Sequence, residues 1–240
     1  MIKKPYLIYE TRIPQGTPAE WEGAKRRFDL AARGRAFNHI YHLVDFSKKR
    51  VLDVGCSYGE YLIYGGSQSV GVTLHPQEVR LGTMIGLSVI QGNAQKKDTI
   101  ENIKRYGAFD IIYCVNLLEH MDSPHIFLRS LSFLAEEKTM LILGVPVFPM
   151  MSWLMRMKKF NGSLAMEHIN FFTHKTLQET LRRAGWRITT ARPFIVKCAW
   201  LDRLMYWFAP QQYILAQKIP AFAYPERRKA EVDDFSRYYF

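Results

Sequence analysis

The stretch VLDVGCSYGEYL, residues 51–62, decides how the chain is read. Four residues of strand character, Val51–Val54, run into Gly55 and Gly59, and a helix is expected to begin after them. Such a turn often cradles a nucleotide, because glycine lets the backbone approach a ligand with no Cβ in the way. A dinucleotide fingerprint would need Gly-x-Gly-x-x-Gly. That register holds Gly55, Ser57 and Glu60 here, so two of its three glycines are missing and the dinucleotide reading is weak.

Outward from this turn, strands and helices alternate. Residues 1–17 carry Pro5, Pro14 and Gly16, with Pro18 close behind, and read as an irregular lead-in. From Ala19 to about Phe46 the residues suit one helix, with Phe28, Leu30, Ala31, Phe37, Ile40, Tyr41 and Val44 at roughly helical spacing. Arg26, Arg27, Arg33 and Arg35 give it a basic face, read either as solvated surface or as a phosphate or headgroup contact. Ser69–Leu74 and Leu87–Gln91 are expected strands, and Pro76–Leu81 begins a helix. Phe109–Val115 and Met140–Val145 are continuous apolar runs, as strands covered on both faces require. Pro124–Leu134 and Lys175–Ala184 are expected helices, the second stopped by Gly185. Trp186–Ala191 and Tyr213–Lys218 are expected as the last strands, and residues 221–240 as a loose tail. The alternation implies a doubly wound α/β fold with a mostly parallel sheet, whose ligands sit at the strand carboxyl ends.

The 240 residues suit one large α/β domain or two small ones, and 48% hydrophobic content is enough for a core. Lys and Arg number 33 against 22 Asp and Glu, and the net charge of +11 favours acidic partners such as phosphates, nucleic acid or anionic lipid. Cys56, Cys114 and Cys198 form neither a zinc pattern nor a disulfide framework, which fits a reducing compartment. The first residues lack the long apolar run of a signal peptide, and no 18 apolar residues run together. A cytoplasmic protein is expected, either free or peripheral to the inner face of a membrane.

The pattern apolar-apolar-Asp-apolar-Gly-x-x-x-Gly at 51–59 resembles motif I of class I S-adenosylmethionine-dependent methyltransferases. GVTLHP (71–76), QGNA (91–94), FDIIYCVNLLEHMDSP (109–124) and HINFFTHKTLQETLRRAGW (168–186) follow in that family's order. The last segment is similar to a subgroup that includes small-molecule, quinone and glycan methyltransferases. The resemblance covers about residues 48–218. It implies a Rossmann-like, seven-stranded sheet with helices on both faces and S-adenosylmethionine as cofactor. It further implies a lead-in and helix over 1–48, the methyltransferase domain over 49–220, an acceptor lid over 146–168 and a tail beyond. Carried over residue by residue, it places the cofactor against Asp53, Gly55, Cys56, Ser57, Gly59, Thr73, Leu74, Asn93, Ala94, Asn116 and Leu117. Asp53 would hold the methionine ammonium, Asn93 would accept from the adenine amine, and Asn116 and Leu117 would face the methionine end.

Two positions depart from the family. Ser57 stands where glycine is common. Thr73 stands where an acid usually accepts both ribose hydroxyls, and a hydroxyl cannot match a carboxylate's two-pronged, charge-assisted grip. Either Thr73 and neighbours such as His75 hold the ribose, or cofactor affinity is reduced.

Methyl transfer needs an oriented acceptor, exclusion of water and, for a hydroxyl acceptor, a base. Glu119, His120 and His168 are the candidates; a loop-capping acid and hydrogen-bonded structural histidines are the alternative. No third ligand beside Glu119 and His120 is evident, so no metal site is expected. VNLLEH after the fourth strand lacks the motifs of exocyclic-amine and cytosine-C5 DNA enzymes, and Cys114 within that strand reads as packing. The lid, PVFPMMSWLMRMKKFNGSLAMEH, is Met-rich and carries Arg156, Lys158 and Lys159, which suits a bulky, lipid-like or phosphate-bearing acceptor. WLDRLMYWFAP (200–210) is expected to put Leu201, Leu204, Met205 and Phe208 on one helical face, against the sheet or a membrane interface. The expected activity is methyl transfer, by O-methylation, to a small-molecule, saccharide or lipid-linked acceptor. The alternatives are an RNA methyltransferase, which the absence of an RNA-binding motif disfavours, and a non-catalytic cofactor-binding protein. The oligomeric state is not readable.

Overall fold

Short apolar runs alternate with amphipathic ones along the chain, and the computed structural model turns them into alternating strands and helices. It describes residues 21–150, 156–157, 164–193 and 199–225. The seven strands follow the order β3-β2-β1-β4-β5-β7-β6 in one mixed, mostly parallel sheet. The described residues fall into two compact units, one within 1–93 and 109–114, the other within 94–108 and 115–240.

The first unit begins with helices α1 (Trp21–Arg33) and α2 (Arg35–Leu43). The sequence suggests a single helix here, but Gly34 interrupts it with an extended ψ of 116°. The Asn38 side chain then donates to the carbonyls of Ala32 and Gly34 at 2.9 and 2.8 Å, the Gly34 oxygen also accepting the Asn38 N–H at 2.9 Å. Phe28, Ala31, Phe37, Ile40 and Tyr41 are buried as expected, whereas Leu30 faces solvent. Strands β1 (Val51–Val54), β2 (Val70–Thr73) and β3 (Ser88–Gln91), with helix α3 (Pro76–Met84) after β2, complete the order. β4 (Ile111–Val115) pairs with β1 from the other side, and all these pairings are parallel. All four residues of β1 are buried, the acid Asp53 among them, which is why the strand shows no alternation of apolar and solvent-facing residues.

The helix expected after Gly59 does not form. One 3-10 turn, Leu62–Tyr64, is closed by Gly65 and Gly66, and the Gly66 N–H donates to Lys49 O at 2.8 Å. The turn instead delivers aromatic rings to the core. The Phe37 ring lies 4.8 Å from Tyr61, 5.1 Å from Tyr64, 5.5 Å from Phe46 and 6.2 Å from Tyr113.

The second unit holds α4 (Lys97–Lys104), α5 (Pro124–Leu134), β5 (Met140–Pro146), α6 (His174–Arg183), β6 (Trp186–Pro193), α7 (Ala199–Leu204) and β7 (Gln211–Lys218). β7 lies between β5 and β6, antiparallel to both. Helix α4 has no counterpart in the sequence reading, because only Ile100 and Ile103 of its eight residues are buried. Helix α6 starts with a Thr173–Thr176 capping box, and Gly185 ends it at φ +90° as expected. The Trp186 indole donates to Leu128 O at 2.8 Å, tying β6 to α5.

Two expectations are corrected. In α7 the buried residue is Asp202, while Trp200 and Leu204 are exposed, so the apolar face anticipated over 200–210 does not point inward as a block. The start of the tail is packed. Arg129 lies over Phe222 and Tyr224 at 5.0 and 5.6 Å, and the Tyr224 hydroxyl bonds His125 Nε2 at 2.8 Å. The lid residues 151–155 and 158–163, Cys198 and the tail from 226 lie outside the described residues.

Phe37 fills the centre of an aromatic cluster. Phe37→Ala is expected to cost about 3–5 kcal/mol. The check is urea denaturation: the midpoint should fall with the slope unchanged.

Candidate functional site

In the first unit, the loop after β1 is shaped by residues with positive φ: Gly55 at 78°, Ser57 at 50° and Gly59 at 88°. The N–H groups of Gly55 and Cys56 both donate to Val72 O, at 2.9 and 3.0 Å, so the loop is pinned to β2. A Cβ on Gly59 would come within 2.4 Å of the Leu87 side chain, on top of the strain of its φ. Ser57 adopts the left-handed conformation that glycine takes more cheaply, so the family's preference for glycine there has a backbone cause. Cys56 is buried; a Cβ on Gly71 would approach its sulfur to 2.6 Å, so this thiol is packed tightly against β2.

Two carboxylates are buried beside this loop. Asp53 is 3% exposed and Glu60 9%, and Asp53 Oδ2 and Glu60 Oε2 have no hydrogen-bond partner. Burial, and secondarily the Glu60 charge, pushes Asp53 well above the carboxylate range. Burial likewise raises Glu60 to about 7, against the lowering effect of its own backbone N–H and of Arg27. An unpartnered buried acid is costly. A ligand ammonium supplies the missing charge and donors, which is the fit expected of the methionine end of the cofactor. The sequence reading named Asp53; it passed over Glu60, which is legible only as the residue standing in a glycine's place.

A carboxylate from outside the strand stands at the end of β2. Thr73 Oγ1 donates to Glu78 Oε2, and Ser57 Oγ donates to Glu78 Oε1 at 3.1 Å. Arg27 Nη1 in turn donates to Ser57 Oγ at 2.7 Å, with its guanidinium 5.5 Å from the Tyr58 ring centre. The two residues that depart from the family pattern thus hold one carboxylate between them. Glu78 lies in the first turn of α3, which Pro76 starts immediately beyond β2. The sequence signal was an acid five residues after Thr73, in the helix turn that abuts the strand end. Leu74 is exposed, and its carbonyl accepts from the Gln91 side chain at 3.2 Å. Asn93 and, in the second unit, Ala94 are half-buried.

In the second unit, Asn116 takes φ 53°, donates its N–H to Gly144 O at 2.8 Å, and accepts from Gln211 Nε2 at 2.7 Å through its side-chain oxygen. Leu117 is half-buried and precedes a 3-10 turn, Leu118–His120. The Glu119 carbonyl accepts the N–H groups of both Ile169 and Asn170 at 3.0 Å, and Asn170 Nδ2 donates to Met121 O at 2.6 Å. These bonds stitch residues 168–170 to the turn, and Thr173 just beyond forms an isolated bridge with Phe148. His168 Nε2 consequently lies 3.8 Å from Glu119 Oε1, and the His120 and His168 rings are 4.8 Å apart. His120 Nδ1 bonds the Glu167 carbonyl at 2.9 Å; a carbonyl only accepts, so Nδ1 carries the proton and Nε2 holds the lone pair. Glu119 is 1% exposed, its Oε2 has no partner, and burial lifts its carboxyl to about 7. The three residues named as candidates for proton transfer are therefore brought together, with one ligand-type atom from each lying within 4.8 Å of the others. Asn170, which fixes their alignment, was missed because it offers only a positioning amide. A cavity of about 930 Å³ opens elsewhere in this unit, along Lys175, Glu179, Arg183, Phe222 and Tyr224, and contains none of these residues.

A methyltransferase-domain family model matches residues 24–191, more than half of the chain. Among curated proteins, the chain is 28% identical over 137 residues to norajmaline N-methyltransferase of Rauvolfia serpentina, covering 52% of this chain and 45% of that one. It is 29% identical over 98 residues to the ubiquinone biosynthesis O-methyltransferase of Xanthomonas oryzae pv. oryzae, covering 39% and 41%. The chain thus spans less than half the length of these relatives. Among solved structures, a SAM-dependent methyltransferase from Thermotoga maritima superposes with a TM-score of 0.57 at 16% identity, over 83% of this chain and 97% of that one. One from Archaeoglobus fulgidus gives 0.55 at 18%, over 89% and 99%. At such identities the likeness shows the fold.

The buried acids make stability depend on pH. Glu60 sits near 7 when folded against an ordinary 4.5, so its contribution is complete below about 4.5 and lost as pH rises through about 7. Asp53 and Glu119 shift the same way. The urea midpoint of the ligand-free chain is expected to fall from pH 5 to pH 8. Glu60→Gln should reduce the accompanying loss of unfolding free energy by on the order of 3 kcal/mol at most.

Proposed function

The chain belongs to the methyltransferase-domain family, and from that premise we propose that it transfers the methyl group of S-adenosylmethionine to an oxygen of a small-molecule, saccharide or lipid-linked acceptor. The observation that carries this reading is the set of acids around the glycine loop: Asp53 and Glu60 buried with unpartnered oxygens, and Glu78 held between Thr73 and Ser57.

S-adenosylmethionine, when bound, supplies a methyl group already activated on a sulfonium, so the protein has to bind, orient and move a proton. Asp53 and Glu60 would hold the methionine ammonium, ionising as they pair with it. Glu78 would accept from the ribose hydroxyls in place of the acid that β2 lacks; a carboxylate has lone pairs to spare beyond the two hydroxyls already on it. Gly55 and Gly59 keep side chains out of the approach. Asn93 would accept from the adenine amine, with Ala94 offering backbone, and Asn116 and Leu117 would line the methionine end.

An oxygen acceptor needs a proton acceptor, and a group working near neutrality does this best. Glu119, raised to about 7, and the His120 Nε2 lone pair supply that function. The relatives include both an N- and an O-methyltransferase; the acid–imidazole cluster favours oxygen, because a neutral amine already carries its lone pair and needs no base before attack. A lipid-linked acceptor is supported by the exposed Trp200, Leu204 and Trp207, a surface suited to a membrane interface. Among the described residues no helix is long and apolar enough to cross a membrane.

Calorimetric titration with S-adenosylhomocysteine tests the cofactor assignment. Asp53→Ala is expected to abolish measurable binding, and Glu78→Ala to weaken it by roughly 10- to 100-fold, the worth of hydrogen bonds to a charged acceptor. Unchanged affinity in Glu78→Ala would remove Glu78 from the site; no binding by the unaltered chain at millimolar ligand would sink the whole reading.

A further inference from the structure

Glu119, His120 and His168 hold more than a base requires. Their ligand atoms, one carboxylate oxygen and two imidazole nitrogens, all lie within 4.8 Å of one another. We propose that this cluster is a binding site for one divalent first-row transition ion, with Glu119, His120 and His168 as its protein ligands.

Three features support the assignment. Glu119 is buried in the cluster with Oε2 unpartnered, and a cation resolves that cost where neutral donors are absent. The hydrogen bond from His120 Nδ1 to the Glu167 carbonyl fixes the ring and leaves Nε2 as a donor, the arrangement by which a backbone carbonyl orients a ligating histidine. The third feature is the scaffold. The Glu119 carbonyl is bonded to the N–H groups of Ile169 and Asn170, and Asn170 also bonds Met121 O. His168 is thus anchored by its immediate neighbours opposite the acid, although it lies far away in sequence. Ligands about 2.1 Å from an ion stand about 3–3.5 Å apart. Side-chain rotations close the difference from the separations seen here.

Two imidazoles and one carboxylate select zinc-, cobalt- or manganese-like ions over magnesium or calcium, which prefer oxygen alone. Three protein ligands leave positions open for oxygen atoms of a bound molecule. If the methyl-transfer reading holds, an acceptor hydroxyl there is made more acidic by the ion, and the three side chains act as ligands rather than as the base. The ion site itself does not depend on that reading, and the test below uses no cofactor.

The full-length chain, stripped with a chelator and desalted, is titrated with zinc and with cobalt in a calorimeter, the cobalt complex also being followed by its visible absorption. One ion per chain is expected. Glu119→Gln and His168→Gln should each weaken binding at least tenfold and alter the cobalt spectrum, with melting profiles showing that both variants fold. Glu119→Gln removes a buried charge at constant shape, so it should fold at least as well as the parent. Absence of binding at millimolar ion, or equal affinity and an unchanged spectrum in the two variants, overturns the proposal.

Discussion

Burying a carboxylate with an oxygen left unpartnered is among the more expensive things a fold can do, and this one does it at Asp53, Glu60 and Glu119. The surroundings of each acid are otherwise settled. Asp53 lies in the middle of the parallel pairings of β1 with β2 and β4. Glu60 follows a loop pinned to β2 by two N–H groups on a single carbonyl, that of Val72. Glu119 has its carbonyl shared by two N–H groups from a distant segment. These backbone bonds hold the acids in the interior, and burial raises each carboxyl above its ordinary range.

The first unit also brings a carboxylate to the end of a strand that does not encode one there. Thr73 and Ser57 look like losses when each is compared alone with the family pattern. Together they donate to Glu78, with Arg27 behind Ser57, and a carboxylate stands at the end of β2 although the strand does not encode one. The basic helix face is therefore not uniformly solvated surface, since Arg27 reaches the glycine loop.

Much of the fold was legible because burial on both faces leaves a simple signature. The strands β4 and β5 are near-continuous apolar runs, and α5 and α6 carry caps or stops in the sequence itself. Failures fell where local pattern and packing disagree. Gly34 divides a helix whose apolar spacing runs on without interruption. GEYLIYGG reads as a helix start, yet the glycine pair ends it after one 3-10 turn whose rings are used by Phe37. Helix α4 buries two isoleucines among polar residues, too few for a periodic signal. In α7 a charged residue is inside and a tryptophan outside, the reverse of what hydrophobicity alone suggests.

The sequence by itself determined the order of the seven strands and of most helices, the glycine turn after β1, and Asp53, Gly55, Gly59, Thr73, Glu119, His120 and His168 as candidate site residues. These are properties of short stretches, set by side-chain periodicity and by the conformations that glycine and proline allow. Tertiary structure alone decided that Glu78 is held by Thr73 and Ser57 at the end of β2, that Glu60 is buried with Oε2 unpartnered, and that His168 meets Glu119 across about fifty residues of chain. Such contacts follow from which backbone N–H finds which carbonyl once the sheet has formed, and no local pattern records that choice.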